Sequence, residues 1–252
     1  MTKLLNYFSV FSCVACAQKA PWFKHLCPDC EFNLPVISSS QNDGILTCCT
    51  ACLLPLNLTL NFEQSVSPDL YCSECITQPK FFDVVRAPFF YQEPVAGLIK
   101  HFKFHKNLGL GKLITSYLID LIIPDLIIPD LIIPVPLHPK KLKQRGFNQS
   151  ILISQWMSKK LKIPVNYKIL KRCKLTKTQL GLSRKERLKN LKGAFFLDLN
   201  LKNNKFKNIK HIALVDDVMT TGATVNEISK ILKQAGVEKI EVWCLARAVP
   251  EF

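Results

Sequence analysis

Two adjacent carboxylates, Asp216 and Asp217, follow the apolar run Ile212-Ala213-Leu214-Val215 and shortly precede the loop Thr220-Thr221-Gly222-Ala223-Thr224. Neighbouring carboxylates repel, and burying them without partners is costly. They call for groups that donate hydrogen bonds or carry positive charge, and a sugar diol or a divalent cation meets that need. The loop offers small hydroxylated side chains and backbone N–H groups. Val225, Ile228, Ile231 and Leu232 after it recur at helical spacing. An oxyanion at a helix start meets orphan N–H donors and the positive end of the dipole. Gly222 permits close backbone approach or a positive φ. A diol-binding acid pair beside an anion-binding loop describes a sugar phosphate site. The alternative reading is a strand, a capped turn and a helix with no ligand. Against it stands a thirteen-residue motif in which each position has its own reason.

Nine of the 11 cysteines precede residue 76, and eight of them form Cys-x-x-Cys pairs. The pairs are Cys13/Cys16, Cys27/Cys30, Cys49/Cys52 and Cys72/Cys75, with Cys48 additional. Each pair puts two thiolates on one tight knuckle, and two knuckles close a tetrahedron, which favours zinc. Disulfides are the rival reading. One or two ions are allowed, and spacing does not say which knuckles share one. Cys173 and Cys244 read as ordinary core residues.

The elements that must position these groups follow from pattern. The run ending at Val215 reads as a buried parallel strand, with ligand groups at its carboxyl end. Residues 81–91 read as a strand or hairpin, residues 150–161 as a helix, and residues 195–197 and 240–243 as further strands. Residues 95–106 alternate aromatic and basic side chains, which suits single-stranded nucleic acid. An amphipathic helix covering the sheet, with Lys100 and Lys103 on its outer side, is the preferred reading. Gly109-Leu110-Gly111-Lys112 is a fragment of a phosphate-loop motif and reads as a turn. The pentapeptide Asp-Leu-Ile-Ile-Pro occurs three times, starting at Asp120, Asp125 and Asp130. Proline every fifth residue forbids a continuous helix or central strand. The last copy reads as a buried strand and the first two as an expansion looped out at the surface. Strand–helix alternation implies a doubly wound α/β domain over residues 81–252, after a cysteine-rich module over residues 1–80.

The net charge of +15 is concentrated. Residues 140–210 hold 17 lysines and 4 arginines against Glu186 and Asp198. That segment suits polyanions, although exposed lysines also simply solubilise. Hydrophobic content of 48% excludes global disorder. No stretch of 18 uninterrupted apolar residues exists, so no membrane span is expected. The apolar residues between Leu4 and Phe11 resemble a signal peptide, but a short helix packed on the cysteine module is the preferred reading.

Residues 212–224 resemble the signature of type I phosphoribosyltransferases, which bind 5-phosphoribosyl-1-pyrophosphate (PRPP). The resemblance implies that Asp216 and Asp217 hold the ribose hydroxyls, and that Thr220, Thr221, Gly222, Ala223 and Thr224 wrap the 5′-phosphate. Together with the cysteine pairs, Phe102-Lys103-Phe104, Val135-Pro136-Leu137-His138-Pro139 and Arg145-Gly146-Phe147-Asn148-Gln149, the chain resembles the ComF family. These are phosphoribosyltransferase-like proteins linked to natural competence. This implies a pyrophosphate loop at Val135, Pro136, Leu137 and His138. It also implies basic and flap contacts from Arg145, Gln179, Arg184 and Arg187, with Asn190 nearby. Structural zinc, Mg²⁺ accompanying PRPP, single-stranded DNA, competence-machinery proteins and a cytoplasmic location are the implied partners and setting. Pyrophosphate displacement needs positioning, charge clamping and exclusion of water rather than a nucleophile, and no convincing nucleophile or nucleobase pocket is visible. Two readings stay open: a nucleic-acid-handling protein that retains the sugar phosphate site, and an active phosphoribosyltransferase.

Overall fold

The computed structural model describes residues 12–21, 25–37, 47–56, 70–122, 124, 127–174, 191, 193–198 and 208–249. The elements are α1 (Pro28–Phe32), α2 (Ser73–Thr77), β1 (Val84–Arg86), β2 (Phe89–Phe90), α3 (Val95–His105), α4 (Leu108–Ile122) and β3 (Leu131–Pro134). They continue with α5 (Pro139–Arg145), α6 (Gln149–Leu161), β4 (Leu170–Arg172), β5 (Phe195–Leu197), β6 (His211–Met219), α7 (Ala223–Gln234) and β7 (Lys239–Arg247).

Every pairing in the main sheet is parallel. Its order is β1–β7–β6–β3, with β2 continuing along the same edge of β7 as β1. Buried on both faces, β6 and β7 are near-continuous apolar runs, as a parallel sheet requires. Ile212, Leu214, Val242 and Cys244 face one layer, which includes Val225, Ile228 and Leu232 of α7. Ala213, Val215, Trp243 and Leu245 face the other, which includes Ile99 and Phe102 of α3, Ile114 and Leu118 of α4, and Ile153 and Met157 of α6. Helices on both faces make the domain doubly wound. Cys49, Cys52 and Cys75 pack into the first layer, and Cys13 and Cys27 into the second. The cysteine knuckles therefore grip the sheet from opposite faces.

Several elements differ from the sequence expectation. Of the two readings of residues 81–91, strand or hairpin, the structure has the strand, in two pieces. β1 and β2 run in one direction, opposite residues 241–243 and 246–247 of β7, and break at Ala87-Pro88. Proline cannot donate to a ladder, and the break is closed from outside. Ile37 N–H donates to Pro88 O and Phe90 N–H to Pro35 O, both at 2.8 Å. Residues 109–112 are not a turn but the first turns of α4. Gly111 is needed there for close packing, because a Cβ would lie 2.6 Å from the Phe102 ring. The first pentapeptide copy is not looped out: Asp120, Leu121 and Ile122 complete α4, and Ile122 is fully buried. In the second copy Ile127 and Ile128 are exposed, as expected of a looped-out segment. The third supplies β3, as expected. Cys244 is a core residue, but Cys173 is exposed. The apolar stretch near the N-terminus lies outside the described residues.

Candidate functional site

β6 carries Asp216 and Asp217 toward its carboxyl end, and α7 begins four residues after Met219. Between them Gly222 adopts φ +72° as the N-cap of α7. That positive φ strains any side chain whatever the space around it, so the chain reversal favours glycine. An open cleft of about 480 Å³ is lined by Asp216, Asp217 and all five loop residues, Thr220, Thr221, Gly222, Ala223 and Thr224.

Both carboxylates are occupied. Asp216 Oδ1 accepts from Ser150 Oγ at 3.1 Å and from the Asp217 N–H at 2.9 Å. Asp217 Oδ1 accepts from Lys103 Nζ at 3.0 Å. Burial pushes the Asp216 carboxyl up to about 7, and the charge of Asp217 adds to the rise. A ligand that brings hydrogen-bond donors or positive charge is what would hold Asp216 ionised.

Of the expected pyrophosphate loop, Val135 and Leu137 line the cleft. Pro136 turns to an adjoining apolar groove that also contains Leu137, Tyr167 and Phe196. The His138 side chain points elsewhere, capping α5 by accepting from Lys140 N–H at 3.2 Å. Val135 N–H is spent on Val215 O, and Pro136 has none, which leaves Leu137 and His138 as the loop's candidate donors. Arg145 lines the cleft, as expected of a basic contact. Gln179, Arg184, Arg187 and Asn190 lie outside the described residues.

The cleft also contains residues that pattern reading did not assign to it: Tyr91, Lys103, Lys141, Gln149, Ser150 and Arg172. Lys103 is a correction. Its side chain turns into the cleft and is only 15% exposed, whereas the sequence reading placed it on the outer face of α3. It follows the buried Ile99 by four residues and Ala96 by seven, which puts it at the edge of the covered face. Burial, and then the positive charges of Arg172 and Arg145, lower the Lys141 pKa. Cations from α3, α5 and β4 thus crowd the wall facing the acid pair.

The eight paired cysteines gather as two quartets, Cys13/Cys16/Cys27/Cys30 and Cys49/Cys52/Cys72/Cys75, with sulfurs within 4.8 Å of one another. Cys16 and Cys27 sulfurs are 3.6 Å apart, and those of Cys52 and Cys72 3.7 Å. A zinc tetrahedron with Zn–S bonds of about 2.3 Å has edges of about 3.8 Å. None of the 11 cysteines forms a disulfide. A hydrogen bond from Cys52, opposed by burial and helped by backbone N–H groups, draws the Cys49 thiol down to about 4. Each quartet therefore suits one zinc ion, and sequential knuckles share it.

Arg247 joins the second quartet to the loop. This side chain, 2% exposed, donates from Nε to Cys52 O at 2.7 Å and from a guanidinium nitrogen to Met219 O at 3.2 Å. The same nitrogen also donates to Thr220 O. Sequence offered no signal for this contact, which spans 195 residues of chain.

A parallel sheet with an acid pair near the end of one strand, then a small hydroxylated loop and a helix start, defines the type I phosphoribosyltransferase class of fold. No family model matches the chain. It is 44% identical over 193 residues to Competence protein F of Haemophilus influenzae, covering 71% of this chain and 79% of that protein. It is 32% identical over 208 residues to DNA utilization protein YhgH of Escherichia coli K12, covering 81% and 85%. The chain belongs to the ComF family. Among solved structures, adenine phosphoribosyl transferase from Trypanosoma brucei superposes with a TM-score of 0.35 at 14% identity. That likeness covers 56% of this chain and 54% of the other.

Proposed function

We propose that this protein binds PRPP with Mg²⁺ in the cleft between β6, the loop of residues 220–224 and α5, and that it serves DNA uptake or utilization as a ComF-type protein. The observation that carries the reading is the cleft itself. A half-buried acid pair, a glycine-bent loop at a helix start and a basic wall sit around one space of about 480 Å³. Asp216 and Asp217 would hold the ribose hydroxyls or the ion, and the loop the 5′-phosphate. The names of the relatives, a competence protein and a DNA utilization protein, support the cellular role. Residues 131–174 contain 11 lysines and arginines and no carboxylate, which supports contact with single-stranded DNA. Zinc in the two cysteine quartets would have a structural role. We retain the division into a module of residues 1–80 and a domain of residues 81–252, a cytoplasmic location and contact with competence-machinery proteins as parts of this reading. Among the described residues no helix is long and apolar enough to cross a membrane.

The test is calorimetric titration of the zinc-loaded protein with PRPP and Mg²⁺, beside the Asp216→Asn/Asp217→Asn double variant. Binding by the wild type and loss in the variant are expected; no binding by the wild type sinks the sugar phosphate reading. In a second arm, single-stranded DNA affinity should fall steeply with salt. It should weaken when Lys140, Lys141, Lys143 and Arg145 are neutralised, and unchanged affinity would remove DNA from the proposal. The other reading, an enzyme that moves phosphoribosyl to a nucleobase-like acceptor, predicts pyrophosphate release with some acceptor.

A further inference from the structure

We propose that Lys103 is a partner-exchanging cation: it pairs with Asp217 as seen here and passes to the anionic group on the sugar's anomeric carbon when the sugar hydroxyls take that carboxylate. The inference rests on the sugar phosphate reading above and adds a residue and a role to it.

The geometry separates a fixed backbone from a movable head. Phe102 is fully buried, its ring 5.9 Å from both Phe147 and Trp156. The Lys103 carbonyl accepts from Gln149 Nε2 at 3.4 Å. The ammonium group, by contrast, reaches the cleft, where it pairs with Asp217 at 3.0 Å. Val135, Leu137, Arg145 and Lys141 line the same cleft and form its anion-facing side. A lysine head is a compact charge with three donors on a flexible stem, suited to changing partners where an arginine fork is not. Hydrogen bonds from a diol would stabilise Asp217 without Lys103. An uncommitted ammonium beside an incoming polyphosphate would then follow the greater negative charge.

A lysine that only balances Asp217 would make no distinction between ligands with and without the pyrophosphate group. The full-length, zinc-loaded protein and its Lys103→Met variant are titrated with PRPP and with ribose 5-phosphate, each with Mg²⁺. Lys103→Gln keeps a donor toward Asp217 and replaces the first variant if that one fails to fold, as judged by thermal melting. PRPP affinity should fall roughly tenfold or more, while ribose 5-phosphate affinity stays constant or rises. Equal losses for both ligands, or no change for either, overturn the proposal. Wild-type protein that binds neither ligand overturns the sugar phosphate reading instead, and Lys103's role with it.

Discussion

Glu241 shows how a single side chain can be read from chemistry once its neighbours are known. It sits in the middle of β7, fully buried. Its carboxylate accepts from Arg86 Nε at 2.8 Å and Trp243 Nε1 at 3.0 Å, and pairs with Lys239 at 3.0 Å. Burial alone would raise its pKa, but Trp243, Arg86 and Lys239 outweigh that and hold it below the ordinary value of 4.5. The linkage sign follows. A depressed carboxylate stabilises the fold above its unfolded pKa, and that contribution is lost as pH falls through the lower folded value. Glu241→Ala should therefore destabilise the protein at neutral pH by about 1–3 kcal/mol, because it strands the buried Trp243 N–H and removes the partner of the partly exposed Arg86 and Lys239. Glu241→Gln should flatten the acid limb of the stability profile below about pH 4.5. Urea unfolding from pH 3 to 8 checks both; an unchanged acid limb would mean the ion cluster carries no pH-dependent stability. Asp216 of the cleft works in the opposite direction, since burial raises it and makes it dependent on a ligand or on the nearby Lys103 charge.

The repeated pentapeptide is an experiment at the level of elements. One five-residue sequence ends a helix, crosses the surface and forms a buried strand. Its third residue is Ile122, Ile127 or Ile132, with exposures of 0%, 67% and 0%. Local propensity is identical in the three copies, so the difference comes from what surrounds them. Ile122 packs in the same apolar layer as Ile99 and Leu118, and Ile132 lies in that layer from β3. Substitution to alanine should cost about 2–5 kcal/mol at Ile122 and Ile132 and within about 0.5 kcal/mol at Ile127. Chemical denaturation of the three variants decides it. Equal losses at all three positions would show the second copy to be packed in solution.

At the scale of the whole molecule, the cysteine module and the ligand cleft are mechanically joined. Arg247 bonds Cys52 O on one side and Met219 O on the other. The Phe81 N–H also donates to Asn226 Oδ1 of α7 at 2.8 Å. A zinc ion lost from the second quartet should loosen the loop of residues 220–224, while one lost from the first quartet, against the opposite face of the sheet, should not. Elemental analysis should find two zinc ions in the wild type and one in each of Cys72→Ser and Cys16→Ser. Calorimetry should find PRPP affinity reduced severalfold in Cys72→Ser alone. Equal PRPP affinities in the two variants would uncouple the second quartet from the loop.

Short-range constraints made much of this protein legible as sequence. The acid pair, the glycine-bent loop and the helix after it lie within residues 216–234, and each is dictated by local sterics and hydrogen bonding. The cysteine knuckles are local in the same sense. Which knuckles share an ion is not, because closing a tetrahedron depends on how separate segments fold together. Spacing hinted at Lys103, which follows the buried Ile99 by four residues and Ala96 by seven and so sits at the margin of the sheet-covering face. Tertiary structure decided that a cleft opens beside that margin and that Asp217 waits there. It also decided the contacts of Ser150, Arg172 and Arg247, whose partners lie far away in sequence. The three fates of one pentapeptide state the limit plainly. A local pattern fixes what a segment is able to become, and burial against distant residues selects among those outcomes.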